Sequence, residues 1–254
     1  MLGDYIRPVL GLPPHVTACL FDLDGVLTQT ALVHNAAWKQ TFDTFLEGWY
    51  EQQGQPFVPF DSGVDYHDYV DGRPRADGVR TFLASRGITL PEGTPDDGPD
   101  AETVNGVGNR KNELVLQKIK EGAVQVYPGS VDYLHAVKAA GLRRVVVSAS
   151  ANCKDVLEAA GIADLIEVRV DGVTAREHKL PGKPAPDTFL YGAELLDTAP
   201  ENCAVFEDAQ AGVAAGRAGN FGIVVGVDRV GQADALREHG ADIVVKDLSE
   251  LLTR

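Results

Sequence analysis

The sequence predicts an α/β protein, with a Rossmann-like, mostly parallel sheet as its core and an inserted α-helical domain. Two observations lead to this fold class. Short apolar runs alternate with helical patterns through most of the 254 residues, and such alternation is typical of a parallel sheet with helices on both faces. One long segment, residues 31–122, interrupts the alternation and carries amphipathic helical patterns without convincing parallel strands.

The apolar runs predict strands at residues 17–21, 144–148, 165–170, 204–206, 222–227 and 242–245. The patterns between them predict helices near residues 129–140, 152–160, 186–196, 209–218 and 231–238. Gly141 and Gly161 each follow an Ala-Ala pair, as the glycines that terminate helices do. We therefore expect residues 1–30 and 123–254 to form one core domain.

Residues 31–122 are predicted to form a separate helical domain, inserted after the first strand. Its helical patterns cover residues 34–45, 79–86 and 110–121. The first of these places Trp38, Phe42 and Phe45 on one face. Residues 91–106 are rich in proline, glycine and acidic residues, so we expect an exposed loop whose acidic side chains are solvated and have no chemical role.

Composition and charge exclude several classes of protein. Lys and Arg number 23 against 37 Asp and Glu, and a formal net charge of −14 opposes binding to nucleic acid or to anionic membranes. No apolar run is long enough to span a membrane, and prolines interrupt the first fifteen residues, where a signal peptide would be apolar. Cys19, Cys153 and Cys203 form neither a disulfide framework nor a paired metal site. We expect a cytoplasmic monomer without nucleic-acid or membrane partners.

Polar residues follow several predicted strands at the point where each strand ends. They are Asp22 and Asp24 after the first strand, Ser148 and Ser150 after the second, and Glu207 and Asp208 after the fourth. Another loop, residues 182–187, carries Lys183 and precedes a helix. Because ligands bind beyond the carboxyl ends of parallel strands, we expect these side chains to be neighbours.

The residue types in these loops point to phosphoryl transfer. Four carboxylates at one sheet edge would repel one another unless a cation neutralised them, and oxygen ligands without histidine or thiolate favour Mg²⁺. Ser148 and Ser150 precede a predicted helix, whose N-terminal N–H groups can bind phosphate. Lys183 lies on a loop stiffened by Pro184 and Pro186, which can aim its ammonium group.

Each feature taken alone also has a purely structural interpretation. Asp24 followed by Gly25 is common turn chemistry, and the loop after the fourth strand could cap the next helix. The two serines could form an ordinary N-cap, and Lys183 could be a solvated surface lysine. The run DLDG is not a calcium EF-hand loop, because its glycine comes at the fourth position and later acidic ligands are missing.

The runs FDLDGVLTQT, SAS, GKPAPD and VFEDAQAGV, in this order and spacing, resemble the four motifs of the haloacid dehalogenase-like superfamily across nearly the whole chain. Phosphatases and phosphomutases of the superfamily keep an aspartate at the position of Asp24, whereas dehalogenases lack it. The helical insertion resembles the cap of the subgroup that contains beta-phosphoglucomutase. That likeness extends to the runs DLDGVLTQTALVHNAAWK, GRPRAD and RKN, with two departures: Ala151 replaces a lysine of the family, and the cap is longer.

The resemblance implies a role for each acidic residue of the predicted site. Asp22 would be the nucleophile that forms an aspartyl-phosphate. Asp24 would be the general acid and base, and its backbone carbonyl would help to bind Mg²⁺. Glu207 and Asp208 would complete the metal site.

The resemblance also implies three sets of substrate contacts. The transferring phosphoryl group would be held by Ser148, the Ala149 N–H and Lys183. The second phosphate of a bisphosphate would be held by Arg75, Ser150 and Asn152. The sugar would meet His34, Lys111 and Asn112 from the cap, and further contacts are predicted at Thr30, Trp38 and Gly72.

These implied roles describe a Mg²⁺-dependent mutase that interconverts beta-D-glucose 1-phosphate and glucose 6-phosphate through a bound glucose 1,6-bisphosphate. Cap closure would hinge near residues 28–31 and 123–128. Two alternatives remain open. A sugar-phosphate phosphatase would share the four motifs, and Ala151 and the longer cap favour it. A non-catalytic module that binds a phosphorylated ligand would not need the complete set of acids and lysine.

Overall fold

The computed structural model describes residues 10–122 and 124–253. The chain divides into two compact units, one comprising Met1–Gln29 and Gln125–Arg254, the other Thr30–Val124. The predicted domain limits at residues 1, 123 and 254 lie outside the described residues. In the part of the chain that is described, no helix combines the length and the apolar character that crossing a membrane requires.

The first unit contains a six-stranded sheet in which every paired strand runs parallel to its neighbour. Its strands are β1 Ala18–Phe21, β2 Arg143–Val147, β3 Val168–Val170, β4 Cys203–Glu207, β5 Ile223–Val227 and β6 Ile243–Val245. Their order in the sheet is β3-β2-β1-β4-β5-β6. The predicted α/β class with a parallel sheet is confirmed.

The helices alternate with these strands or lie within the second unit. The second unit holds α1 Thr30–Gln53, α2 Arg75–Ser85 and α3 Val104–Lys120, with a π-helical turn at Tyr66–Val70. The first unit holds α4 Pro128–Ala139, α5 Cys153–Ala159, α6 Gly172–Glu177, α7 Asp187–Leu195, α8 Gln210–Ala218 and α9 Ala233–Glu238. Short 3₁₀ turns cover Ala163–Leu165, Pro200–Asn202 and Leu248–Thr253.

The central strands are buried along their whole length. Their sequences are therefore continuous apolar runs and do not alternate between apolar and polar residues. Phe21 of β1 stacks on Phe206 of β4, with ring centres 4.5 Å apart. Gly141 and Gly161 follow α4 and α5 with φ of 75° and 67°, so the predicted glycine helix ends are confirmed. The apolar packing at β1 and β4 supports the sheet edge where the site residues emerge.

Two predictions for the first unit are wrong in detail. The predicted strand at 165–170 is reduced to Val168–Val170, because Ala163–Leu165 forms a 3₁₀ turn that buries Leu165 instead. An apolar run alone does not distinguish these two structures. Helix α6 was not predicted, although Asp171 is its N-cap and its side chain accepts hydrogen bonds from the N–H groups of Val173 and Thr174.

The helices of the second unit begin earlier than predicted, and α1 also ends later. Helix α1 continues to Gln53 because Leu46 is buried and Trp49 packs against the same core. Helix α3 starts at Val104, where the Thr103 hydroxyl accepts a hydrogen bond from the Gly106 N–H at 2.9 Å. The predicted exposed loop 91–106 is therefore wrong for its last three residues.

The acidic residues of that loop are exposed as expected, apart from the half-buried Asp97, but two of them also make structural contacts. Arg80 donates hydrogen bonds to both carboxylate oxygens of Glu92, each at 2.7 Å. Asp97 accepts hydrogen bonds from the hydroxyls of Thr94 and Thr103. Both acids thus hold the loop in place rather than merely adding surface charge.

Candidate active site

The polar residues predicted after β1, β2 and β4 meet at one edge of the sheet in the first unit. These three strands are adjacent in the sheet, so their carboxyl ends lie side by side. Asp22 directly follows β1, Ser148 directly follows β2, and Glu207 is the last residue of β4. The loop before α7 adds Lys183 to the same place.

Lys183 is a buried charge held by three acceptors. Its ammonium group donates to Asp22 Oδ1 at 2.5 Å, to Glu207 Oε1 at 2.6 Å and to the Val147 carbonyl at 3.0 Å. The side chain is 2% exposed, so the interpretation as a solvated surface lysine is wrong. A buried charge is stable only when it is paired in this way.

The surroundings set the ionisation of both partners. Burial lowers the pKa of Lys183, but Asp22 and Glu207 raise it by more, so the pKa lies above its ordinary value and the group stays an ammonium. Burial raises the pKa of Asp22 well above its usual range, with Lys183 opposing the rise and Glu207 adding to it. Lys183 therefore favours the ionised form of Asp22.

Asp22, Glu207 and Asp208 form a cluster of carboxylates that could hold a metal ion. Each is buried, and one oxygen of each lies within 4.8 Å of the others. Three carboxylates and the Lys183 ammonium leave a formal charge of −2, which a divalent cation would balance. Oxygen ligands of this kind suit Mg²⁺, so the residues present fit that ion.

Two glycines leave room for these carboxylates. A Cβ on Gly25 would collide with the Asp208 carboxylate, and a Cβ on Gly212 would collide with that of Glu207. Gly25 also has φ of 82°, which favours glycine. The second Glu207 oxygen accepts from the Ala209 N–H at 3.0 Å, just before α8. Ala209 is itself the N-cap residue of α8 and provides no side-chain cap, so this bond orders the loop before the helix and is not the capping interaction that the sequence also allowed.

Asp24 lies beside the loop that follows β2. Its Oδ2 accepts a hydrogen bond from the Ser148 hydroxyl at 3.4 Å. The backbone of Asp24 bridges to Thr28, and the Gly25 N–H donates to the Thr28 carbonyl at 2.7 Å. The prediction assigns the backbone carbonyl of Asp24 to the metal ion and its carboxylate to proton transfer, and both roles stay predictions.

The predicted phosphate-binding residues after β2 lie on one compact turn. The Ser148 hydroxyl accepts from the Ser150 N–H at 3.1 Å, and the Ser150 hydroxyl accepts from the Asn152 N–H at 3.2 Å. Ala149 lies between the two serines, and Ser148 and Asn152 are buried. Ala151, which replaces the lysine of the family, is exposed.

The second unit brings three of its predicted site residues together. Lys111 of α3 is buried, and its Nζ lies 2.6 Å from Nδ1 of His34 on α1. The same ammonium lies 4.9 Å from the centre of the Trp38 ring. Trp38 also stacks on Phe42 at 4.9 Å, so it is a core residue as well as a neighbour of Lys111.

The remaining predicted residues of the second unit lie at helix starts or beside Lys111. Thr30 and Arg75 are the first residues of α1 and α2, Gly72 precedes α2 with φ of 69°, and Asn112 follows Lys111 in α3. Arg75 donates to Asn109 Oδ1 at 3.1 Å. The sequence analysis did not identify Asn109 as a partner of Arg75. The only signal for it in the sequence is its position directly before the run RKN.

Replacing Lys183 by Met should destabilise the protein by about 3–5 kcal/mol, since two buried carboxylates would lose their cation. Lys154→Met is the matched control, because Lys154 is 62% exposed and lies 3.8 Å from Glu158. We expect its change to stay within about 0.5 kcal/mol. Urea unfolding without added metal measures both, and equal stabilities of the two variants would contradict the proposed charge balance.

Comparison with known proteins agrees with the motifs. Residues 16–220 match the family described as haloacid dehalogenase-like hydrolase. The beta-phosphoglucomutase of Mycobacterium tuberculosis is 58% identical over 247 residues, covering 96% of this chain and 94% of that protein. The beta-phosphoglucomutase of Bacillus subtilis is 31% identical over 235 residues, covering 92% of this chain and 91% of that protein.

A solved structure extends the likeness to the fold. The beta-phosphoglucomutase of Clostridium difficile has a TM-score of 0.72 at 27% identity, and the match covers 93% of each chain. The resemblance seen in the four sequence motifs is thus confirmed over nearly the full length. The chain belongs to the haloacid dehalogenase-like superfamily, in its group of enzymes related to beta-phosphoglucomutase.

Proposed function

We propose that the chain is a Mg²⁺-dependent phosphomutase that interconverts beta-D-glucose 1-phosphate and glucose 6-phosphate. The reaction would pass through an aspartyl-phosphate at Asp22 and a bound glucose 1,6-bisphosphate. The observation that carries the proposal is the buried cluster of Asp22, Glu207 and Asp208 closed by Lys183, with Asp24 and Ser148 beside it. The names of the relatives at 58% and 31% identity support the choice of sugar phosphate.

Each residue of the cluster has a distinct task in this reaction. The Asp22 carboxylate attacks one phosphorus of glucose 1,6-bisphosphate and the bond from that phosphorus to the sugar oxygen breaks, while Asp24 donates a proton to that oxygen and a glucose monophosphate leaves. Lys183 balances the charge of Asp22 and holds its Oδ1. Mg²⁺, held by Asp22, Glu207, Asp208 and the Asp24 carbonyl, would supply charge neutralisation at the transferring phosphoryl group.

The return step uses the same groups in reverse. Asp24, now ionised, accepts a proton from a hydroxyl of beta-glucose 1-phosphate as that oxygen attacks the phosphoryl group on Asp22, and this transfer forms the bisphosphate. The sugar bisphosphate then reverses its orientation in the site and donates its other phosphoryl group to Asp22. Water must be kept from the aspartyl-phosphate meanwhile, which is what separates a mutase from a phosphatase.

The substrate contacts are proposed on both units. Ser148, the Ala149 N–H and Lys183 would hold the transferring phosphoryl group, and Arg75, Ser150 and Asn152 the other phosphate. His34, Lys111 and Asn112 would contact the sugar, together with Thr30, Trp38 and Gly72. The close approach of Lys111 to His34 and Trp38 supports a shared role for these three residues.

Product analysis tests the proposal. With Mg²⁺ and a trace of glucose 1,6-bisphosphate, the purified protein should convert beta-glucose 1-phosphate to glucose 6-phosphate, with little release of free phosphate. Both products are followed in one reaction, by a coupled dehydrogenase assay and a phosphate assay. Phosphate release as fast as isomerisation would contradict the mutase.

A sugar-phosphate phosphatase with the same aspartyl chemistry is the second candidate. The exposed Ala151 favours it, because a lysine at this position would have offered one more contact to the second phosphate. A phosphate-release screen over sugar phosphates would reveal it as rapid hydrolysis without isomerised product. The expected cytoplasmic location and monomeric state belong to the same proposal and stay predictions.

A further inference from the structure

The Arg229 side chain joins several separate segments of the first unit. Its Nε donates to the Gly25 carbonyl at 2.9 Å, and its Nη2 donates to the Val26 carbonyl and to the Ser130 hydroxyl, both at 3.2 Å. Its Nη1 donates to the Lys246 carbonyl at 2.7 Å and to Asp247 Oδ2 at 3.1 Å. A guanidinium has five N–H groups, so each of them has an acceptor here.

The flat face of the guanidinium is also occupied. Its Cζ lies 3.5 Å from the centre of the Tyr127 ring, which is a close cation–π contact. The Tyr127 N–H donates to the Leu27 carbonyl at 3.0 Å, and the Ser130 hydroxyl donates to the Val26 carbonyl at 2.7 Å. The side chain of Arg229 is only 13% exposed. An arginine fixed on its edge and its face has little freedom to move.

Asp247 forms the ion pair with Arg229. Burial raises its pKa, but hydrogen bonds from Ser249 and Arg229 lower it by more, so Asp247 keeps its negative charge. Its Oδ1 accepts from both the N–H and the hydroxyl of Ser249. The ion pair therefore ties Arg229 to the segment after β6.

The segment that Arg229 holds begins immediately after Asp24. Gly25 and Val26 form the first part of a tight turn, in which the Gly25 N–H donates to the Thr28 carbonyl and the Leu27 and Thr28 N–H groups donate to the Leu23 carbonyl. These bonds close the turn on itself, whereas Arg229 anchors the Gly25 carbonyl to the rest of the unit and shares the Val26 carbonyl with the Ser130 hydroxyl. The direction of the Asp24 side chain depends on the backbone of this turn.

We propose that Arg229 is a positioning residue for Asp24: by fixing the carbonyls of Gly25 and Val26, it holds the Asp24 carboxylate beside Ser148 in the orientation that proton transfer requires. This inference rests on the proposed role of Asp24 as the general acid. Proton transfer is sensitive to small displacements, so supporting residues far from the substrate can change the rate strongly.

The test compares two phosphoryl donors, of which only one needs the general acid. Transfer from a sugar phosphate to Asp22 leaves an alkoxide-like oxygen that must be protonated, whereas transfer from acetyl phosphate leaves acetate, which needs no proton. In Arg229→Gln, transfer from glucose 1,6-bisphosphate to Asp22 should slow about 10- to 100-fold. Phosphorylation of Asp22 by acetyl phosphate, measured by intact mass in single turnover, should change by less than about threefold.

Two further variants separate positioning from folding. Arg229→Lys keeps the charge but has only three donors, so its loss with the sugar phosphate should be smaller than that of Arg229→Gln. Arg217→Gln is the matched control, since Arg217 likewise bonds a carbonyl and a carboxylate, those of Gly240 and Asp242, but contacts neither Gly25 nor Val26. It should match the wild type with both donors. Thermal unfolding is recorded for every variant.

The outcomes are distinguishable. Equal slowing with both donors would show a general structural defect and overturn the inference, as would a variant as fast as the wild type with the sugar phosphate. A wild-type protein that neither donor phosphorylates would overturn the proposed function, and the inference with it. The proposed function and the inference are both supported if the wild type reacts with both donors and Arg229→Gln is impaired with the sugar phosphate alone.

Discussion

Asp22→Asn is expected to lower mutase activity by about 10⁴-fold or more, the order of loss seen when a covalent nucleophile is removed. An amide does not form the acyl phosphate, so neither half of the reaction can start. The fold should survive, because Asn keeps an oxygen that accepts the hydrogen bond from Lys183 at the buried position.

Steady-state rates and intact mass measure this effect. Asp234→Asn is a suitable control, since Asp234 is 94% exposed and pairs with Arg237 on the surface of α9. Its rate should equal that of the wild type. Retained turnover in Asp22→Asn would remove Asp22 from the role of nucleophile.

The second large effect is expected at Asp24. Asp24→Asn should slow transfer from glucose 1,6-bisphosphate to Asp22 by about 10²–10⁴-fold, because the leaving sugar oxygen would depart without a proton. Phosphorylation by acetyl phosphate should stay within about tenfold of the wild type, since acetate leaves as a stable anion. Rapid-quench kinetics with both donors give the comparison, and an equal loss with the two donors would assign Asp24 to the metal site alone.

The sheet edge could be predicted from the sequence because it depends on a simple rule. Asp22, Ser148 and Glu207 come at the ends of apolar runs, and parallel neighbours place such ends together. The burial of Lys183 was not evident in the same way. Its place near the acidic residues was predicted, but its loop has no strand of its own, and only the contacts with Asp22 and Glu207 show that the ammonium group is buried.

Features that rest on backbone groups leave little trace in a sequence. Arg229 binds the carbonyls of Gly25, Val26 and Lys246, and it is 204 positions from Gly25 along the chain. Any residue supplies a carbonyl, so no pattern marks these partners. Helix α6 was missed for a related reason, because Asp171 followed by a glycine indicates a turn as readily as an N-cap.

The second unit shows the limit of periodicity in another way. The apolar spacing of Phe42, Phe45, Leu46 and Trp49 does indicate a helix, yet its ends depend on contacts that periodicity ignores. Thr103 starts α3 ahead of the first strongly periodic residues, and Asp97 fixes Thr103 by accepting its hydroxyl hydrogen bond at 2.6 Å. The predicted loop was therefore too long.

A single-turnover label experiment tests the central claim most directly. The protein is first phosphorylated with unlabelled acetyl phosphate and then mixed with beta-glucose 1-phosphate that carries a labelled phosphate, in Mg²⁺. A mutase that works through Asp22 gives its own unlabelled phosphoryl group to the sugar, so the first glucose 6-phosphate should be unlabelled and the label should appear on the peptide that contains Asp22. Labelled glucose 6-phosphate or labelled free phosphate in the first turnover would contradict the account.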